Sequence, residues 1–130
     1  MKKPDSPRTV LVVDDDEMNL KMAEFILKKE TKLNVMLADG GMKCIDILQH
    51  EDIDLVLLDI QMPIMNGLKT LELIRKRESL KDIPVIFLTA SSDKETVMKA
   101  GMMGVSDYIK KPFMPQDLVE RVERALLAKA

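Results

Sequence analysis

The sequence predicts an α/β fold, a doubly wound (βα)5 three-layer sandwich around a five-stranded parallel sheet in the order 2-1-3-4-5. Three observations predict it. Short apolar runs alternate five times with longer segments of helical period. Three of those runs are apolar throughout, as strands covered on both faces of a parallel sheet are. A chain of 130 residues also suits one domain that buries its own core. Right-handed crossovers then place helices on both faces of the sheet.

The first run is Val10-Leu11-Val12-Val13, and in the helix after it Leu20, Ala23 and Leu27 share one face. The second, Leu33 to Leu37, is weaker because Asn34 breaks it; Gly40-Gly41 reads as the loop that follows. Met42, Ile45 and Leu48 then mark the packed face of the second helix. The third run, Leu55-Val56-Leu57-Leu58, leads to a helix carried by Leu68, Leu71 and Ile74. The fourth, Val85-Ile86-Phe87-Leu88, precedes Ser92-Asp93-Lys94-Glu95, a capping box that satisfies two free amides at a helix start. The fifth, Val105 to Ile109, is more polar, as an edge strand would be. Pro115 suits a first helical position, and Leu118, Val119, Val122, Ala125 and Leu126 form a clean apolar stripe. Residues 1–8, polar and carrying Pro4 and Pro7, read as a flexible arm, and residues 9–128 as the domain.

Composition excludes several classes. Twenty basic against 22 acidic residues give a net charge of -2, without the basic excess of a nucleic-acid binder. No apolar stretch is long enough to cross a bilayer, and the first residues lack the apolar centre of a secretion signal. A lone cysteine, Cys44, has no partner within the chain for a disulfide, which suits a reducing compartment; the expected location is the cytoplasm. Cys44 reads as inert packing. The only histidine, His50, reads as a helix-end residue, since no His/Cys cluster accompanies it. The 11 methionines are expected to fill the core, with Met98, Met102 and Met103 around the fourth helix as the exception. Neither a P-loop nor a G-x-G-x-x-G after the first strand is present.

The residues that follow the strands carry the chemistry. Asp14-Asp15-Asp16, Asp59, Thr89 and Lys110-Lys111 all fall at carboxyl ends of strands. In a parallel sheet these ends share one edge, and ligands bind there where the strand order reverses. That crevice would set Asp14 and Asp15 beside Asp59. Carboxylates so placed repel one another unless a hard divalent cation relieves them. Mg2+ takes one or two carboxylate oxygens and fills its octahedron with water, carbonyl and phosphate oxygens. Asp15 and Asp59 are the side-chain candidates. Lys111 adds a point charge of the kind that meets phosphate, and Thr89 a hydroxyl donor. Such equipment suits phosphoryl transfer to a carboxylate nucleophile from a donor that arrives already activated. Within the acidic run, Asp16 is expected to cap the helix, and Lys110 to be solvated.

At these residues the sequence resembles the response regulator receiver family of two-component signalling, the CheY-like domains. VLVVDDD at 10–16, LVLLDIQMPIMNG at 55–67, PVIFLTA at 84–90 and DYIKKPF at 107–113 carry the resemblance, which extends from Thr9 to about Leu127. It implies that Asp59 is the phosphoacceptor. Asp14 and Asp15 would hold Mg2+ (or Mn2+), with Asp59 and the backbone carbonyl of Gln61 as further ligands. Thr89 and Lys111 would bind the phosphoryl oxygens, and the Lys111–Pro112 bond would be cis. Tyr108 matches the family's switch aromatic. Gln61 and Ser91 flank the reactive oxygen and set the hydrolysis rate; neither is a strong base, so a lifetime of minutes or more is expected.

The leading expectation is a phosphorylation-controlled interaction module. Its donor would be a sensor histidine kinase or phosphotransfer protein, and its output face helix four, strand five and helix five. That output partner is unnamed by the sequence, which also leaves open a free-standing regulator or a receiver within a longer protein. Mixed charges at Lys99, Asp107, Glu120 and Arg121 permit a homodimer there. The rival is a phosphatase with an aspartyl nucleophile. Haloacid-dehalogenase-like enzymes place an acid two residues after the nucleophile to protonate the leaving group, and here Gln61 occupies that place.

Overall fold

The computed structural model describes residues 7–90 and 94–129. Five strands, β1 (Thr9–Val13), β2 (Asn34–Ala38), β3 (Leu55–Asp59), β4 (Val85–Thr89) and β5 (Asp107–Lys110), form one sheet in the order β2-β1-β3-β4-β5. Every pairing is parallel. Between and after them run α1 (Glu17–Glu30), α2 (Gly41–His50), α3 (Gly67–Lys76), α4 (Lys94–Met102) and α5 (Pro115–Lys129). The expected order and the two-sided burial are both present: β1, β3 and β4 are buried along their whole length, while the edge strands β2 and β5 are partly exposed.

Alternation along the strands divides the core in two. Leu11, Val13, Val56, Leu58, Val85 and Phe87 face α2 and α3, where Cys44, Ile45, Leu48, Leu71 and Ile74 meet them. Val10, Val12, Leu55, Leu57, Ile86 and Leu88 face the opposite layer, built by α1 and α5. Cys44 packs inertly as expected, its thiol pushed up to about 12 by burial. His50 closes α2, with Nδ1 2.8 Å from the Asp46 carbonyl oxygen.

Several details differ from the sequence reading. β3 and β4 extend through Asp59 and Thr89, so these two are the last residues of their strands rather than the residues after them. β5 begins at Asp107, not Val105, because Gly104 turns the chain with φ 78° and Ser106 bonds back to the Val85 carbonyl at 2.8 Å. Gly41 opens α2 and is buried where a Cβ would meet the Thr70 hydroxyl and come within 2.8 Å of the Met65 sulfur. It is a close-approach residue, not loop filler. Met42 is exposed, leaving Cys44, Ile45 and Leu48 as the packed face. Core filling by methionine fails more widely: Met18, Met22, Met42, Met98, Met102 and Met114 are all exposed, and Met62 is the buried one among the described residues. Arg8, placed in the arm by sequence, is held by its guanidinium on the Leu126 carbonyl and by its own carbonyl, which accepts from the Asn34 amide at 2.9 Å. The capping box Ser92–Glu95 begins outside the described residues.

Between β3 and α3, the Met65 amide bonds the Pro63 carbonyl at 2.7 Å, a γ-turn centred on Ile64. Ile64 has φ 69° and is fully exposed. A β-branched residue is strained there, whereas glycine takes positive φ without steric cost. Ile64→Gly is therefore expected to raise stability by about 1 kcal/mol. A urea or thermal melt that shows a loss would contradict the strain.

Candidate functional site

The register brings the strand ends level. Val13 pairs with Leu58, Asp59 with Leu88 and Thr89 with Lys110, so the residues just beyond β1 and β5 flank the ends of β3 and β4. Strand order reverses between β1 and β3, and Asp14 leaves β1 beside Asp59 at that point.

Local chemistry separates the three adjacent aspartates. Asp16 is the N-cap of α1, its Oδ1 accepting from the Met18 amide at 2.9 Å. Asp14 is fully buried; its Oδ1 accepts from the Asp16 amide at 2.9 Å, and its own amide donates to the Ala38 carbonyl at 3.1 Å. Asp15 is exposed between them. Asp14, Asp15 and Asp59 each present one carboxylate oxygen, and the three oxygens lie within 4.8 Å of one another.

Lys111 closes this cluster. Its ammonium lies 2.6 Å from Asp14 Oδ2 and 3.0 Å from Asp59 Oδ1, with only 14% of the side chain exposed. The Asp14 contact is ionic: no hydrogen bond is aligned on the buried Oδ2. Burial pulls the Lys111 ammonium down, but the two carboxylates outweigh it and hold the group above the usual lysine value. The Lys111–Pro112 bond is cis, as expected. The Lys111 amide donates to the Thr89 carbonyl at 2.9 Å, which fixes the ammonium-bearing residue to the end of β4.

Asp59 is 4% exposed, and burial pushes its carboxyl up to about 6. The neighbouring Asp14 adds to that rise, while Lys111 and the Gln61 main-chain amide pull it down. Two buried acids around one ammonium leave net negative charge, which a divalent cation would offset. The donors fit: all are hard oxygens, and one of the buried ones lacks an aligned hydrogen bond.

The remaining sequence candidates lie at varying distances. Thr89 is buried at the end of β4, one strand over from Asp59. The Gln61 side chain is exposed, and its main-chain amide reaches the Asp59 carboxylate. Ser91 lies outside the described residues. Tyr108 is half-buried on β5, where its phenol is held above the ordinary tyrosine value by burial and then by Asp107; its hydroxyl lies near α4, 3.5 Å from where a Gly101 Cβ would stand. Sequence reasoning missed Gly67. A Cβ there would run into the Asp59 carbonyl oxygen and stand 2.7 Å from Ile60 Cα, while its amide donates to the Ile60 carbonyl at 2.7 Å. The Asn66-Gly67 pair was the available signal, with Asn66 Oδ1 capping α3 at the Lys69 amide, 2.8 Å away.

An order of 2-1-3-4-5 with acids and one lysine gathered at the switch point defines a doubly wound α/β domain with a charged pocket at its carboxyl edge. Comparison with known proteins narrows this. The response regulator receiver domain model matches residues 10–123. The chain is 34% identical over 115 residues to chemotaxis protein CheY-3 of Vibrio cholerae, covering 88% of each chain. It is 35% identical over 118 residues to the chemotaxis protein CheY homolog of Campylobacter jejuni, covering 90% of this chain and 91% of that one. The crystal structure of a CheY-like response regulator receiver domain protein from Methanospirillum hungatei superposes with a TM-score of 0.87 at 29% identity, covering 95% of this chain and 96% of that one. The chain belongs to the response regulator receiver family.

Proposed function

We propose that Asp59 is the phosphoacceptor of a two-component relay and that its phosphorylation controls partner binding. The observation that carries this reading is the Lys111 ammonium set between buried Asp14 and Asp59 in a cluster of three carboxylates. An Asp59 oxygen attacks the phosphorus of a phosphohistidine on a sensor kinase or phosphotransfer protein. The P–N bond breaks, the freed imidazole takes its proton from solvent, and an acyl phosphate forms. Lys111 neutralises a phosphoryl oxygen and Thr89 donates its hydroxyl to another. Asp14, Asp15, Asp59 and the Gln61 carbonyl are the residues to hold Mg2+ or Mn2+, which would supply charge neutralisation at the transferring group. Water later cleaves the P–O bond and returns carboxylate and inorganic phosphate. With no strong base at Gln61 or Ser91, that step takes minutes or longer.

On this reading the domain spans residues 9–128 and acts only on its own aspartate. It works in the cytoplasm, and no described helix is long and apolar enough to cross a membrane. The face of α4, β5 and α5 meets the output partner or a second copy, and Tyr108 on β5 reports the state of the pocket.

Asp59→Asn is expected to abolish Mg2+-dependent labelling by acetyl phosphate, read by intact mass; labelling at the wild-type rate would overturn the assignment. The same variant carries a stability signature. The Asp59 carboxyl stands near 6 in the folded chain against an ordinary 3.8, so the native state binds the extra proton between those values. Stability is therefore lost as pH rises through that window. Without Mg2+ at pH 7, Asp59→Asn removes the penalty and gains up to about 2 kcal/mol.

A further inference from the structure

Arg75, in the last turn of α3, directs its guanidinium at three main-chain carbonyls. Nη1 donates to Ile83 at 2.7 Å, Nη2 to Gly104 at 3.1 Å and Nε to Met103 at 3.3 Å. Met103 and Gly104 directly follow α4, and the last carbonyls of a helix have no partners within it. A cation at this end also complements the helix dipole. Ile83 leads into β4. One planar fork thus joins α3, the C-terminal end of α4 and the entrance to β4, a geometry that a lysine cannot reproduce.

Among the described residues of α4, Glu95, Met98, Lys99, Gly101 and Met102 are exposed. Its two ends have different surroundings. The first follows the chain out of Thr89, at the pocket edge of the sheet. The second is fastened by Arg75 at the opposite edge, with the Tyr108 hydroxyl close to Gly101 one turn before the clamp. A helix of nine residues is a lever about 13 Å long.

We infer that Arg75 is a positioning residue that pins the C-terminal end of α4, so that the helix swings about that end when the pocket at Asp59 changes charge. The inference rests on the phosphoacceptor reading. It replaces sliding of the whole helix by rotation about a fixed end, and it concentrates displacement next to the pocket.

Spin labels test this. Cys44 is buried and its thiol is pushed up to about 12, so single labels can be placed at Glu95→Cys or Met102→Cys, each measured against Lys43→Cys on α2. Beryllofluoride with Mg2+ serves as the phosphoryl stand-in, and the thermal midpoint reports its binding. In the otherwise wild-type chain the Glu95 label is expected to move by about 2 Å and the Met102 label by less than about half of that. In Arg75→Ala the Met102 label is expected to move about as far as the Glu95 label. Arg75→Lys, which keeps the charge without the three-way fork, is expected to show the same change in smaller degree and covers the case where alanine unfolds the chain. A residue of purely structural importance would lower the midpoint and leave the pattern of movement intact.

Equal movement of both labels with Arg75 present, or a Met102 label that stays still in both Arg75 variants, overturns the inference. So does a raised midpoint with neither label moving. If beryllofluoride leaves the midpoint unchanged, the phosphoacceptor reading itself falls, and the clamp loses its role with it.

Discussion

Lys111→Ala is expected to slow labelling of Asp59 by acetyl phosphate about 100-fold, the usual effect of removing one preorganised donor from a developing negative charge. Its ammonium is the cation that the described structure sets against both Asp14 and Asp59, at 2.6 and 3.0 Å. Removing it leaves two buried carboxylates facing each other without a counter-charge. In Mg2+-free buffer that uncompensated pair is expected to cost about 3 kcal/mol of stability. Much of the loss should return on adding Mg2+, because a divalent cation can take over the neutralisation. The gap between urea midpoints in EDTA and in Mg2+ therefore widens in the variant. A labelling rate within about threefold of wild type would show that Lys111 does not touch the transferring group.

The second large effect is expected from backbone packing rather than from charge. Gly67→Ala puts a methyl group against the Asp59 carbonyl oxygen and 2.7 Å from Ile60 Cα, and both obstacles are backbone. Flexible side chains give way cheaply, but here β3 and the start of α3 must separate. The 2.7 Å bond from the Gly67 amide to the Ile60 carbonyl goes with them. Overpacking of this kind is expected to cost about 3 kcal/mol. For a chain of this size that lowers the thermal midpoint by roughly 10 °C. Because the clash falls on the proposed phosphoacceptor, the labelling rate should fall as well. A midpoint within about 2 °C of wild type would mean that the loop absorbs the methyl group without strain.

Why some of this was legible in sequence and some not follows from how local each signal is. Val10–Val13, Leu55–Leu58 and Val85–Leu88 announce buried parallel strands by themselves. Once the sheet is parallel, Asp14, Asp59, Thr89 and Lys111 must share an edge. Asp16 was readable as a cap because capping depends on a neighbour two residues away. The methionines were not readable. In α1, Met18, Met22 and Phe25 form an apolar stripe of helical period opposite Leu20, Ala23, Ile26 and Leu27, and periodicity cannot say which stripe turns inward. The Arg75 bonds to Met103 and Gly104 span 28 and 29 residues, and nothing near Arg75 marks them. Gly67 and Gly41 are likewise set by which backbone or side chain arrives from elsewhere in the fold.

One main-chain contact constrains how a signal can leave the pocket. The bond from the Lys111 amide to the Thr89 carbonyl yokes the last residue of β4 to the residue that follows β5, whose ammonium meets Asp59. Neither can travel alone without breaking that tie, so a tug on the hydroxyl of one is inherited by the ammonium of the other. β4 and β5 should therefore answer added charge as a single ribbon, and a substitution that cut the tie would be felt as lost synchrony before it was felt as lost chemistry.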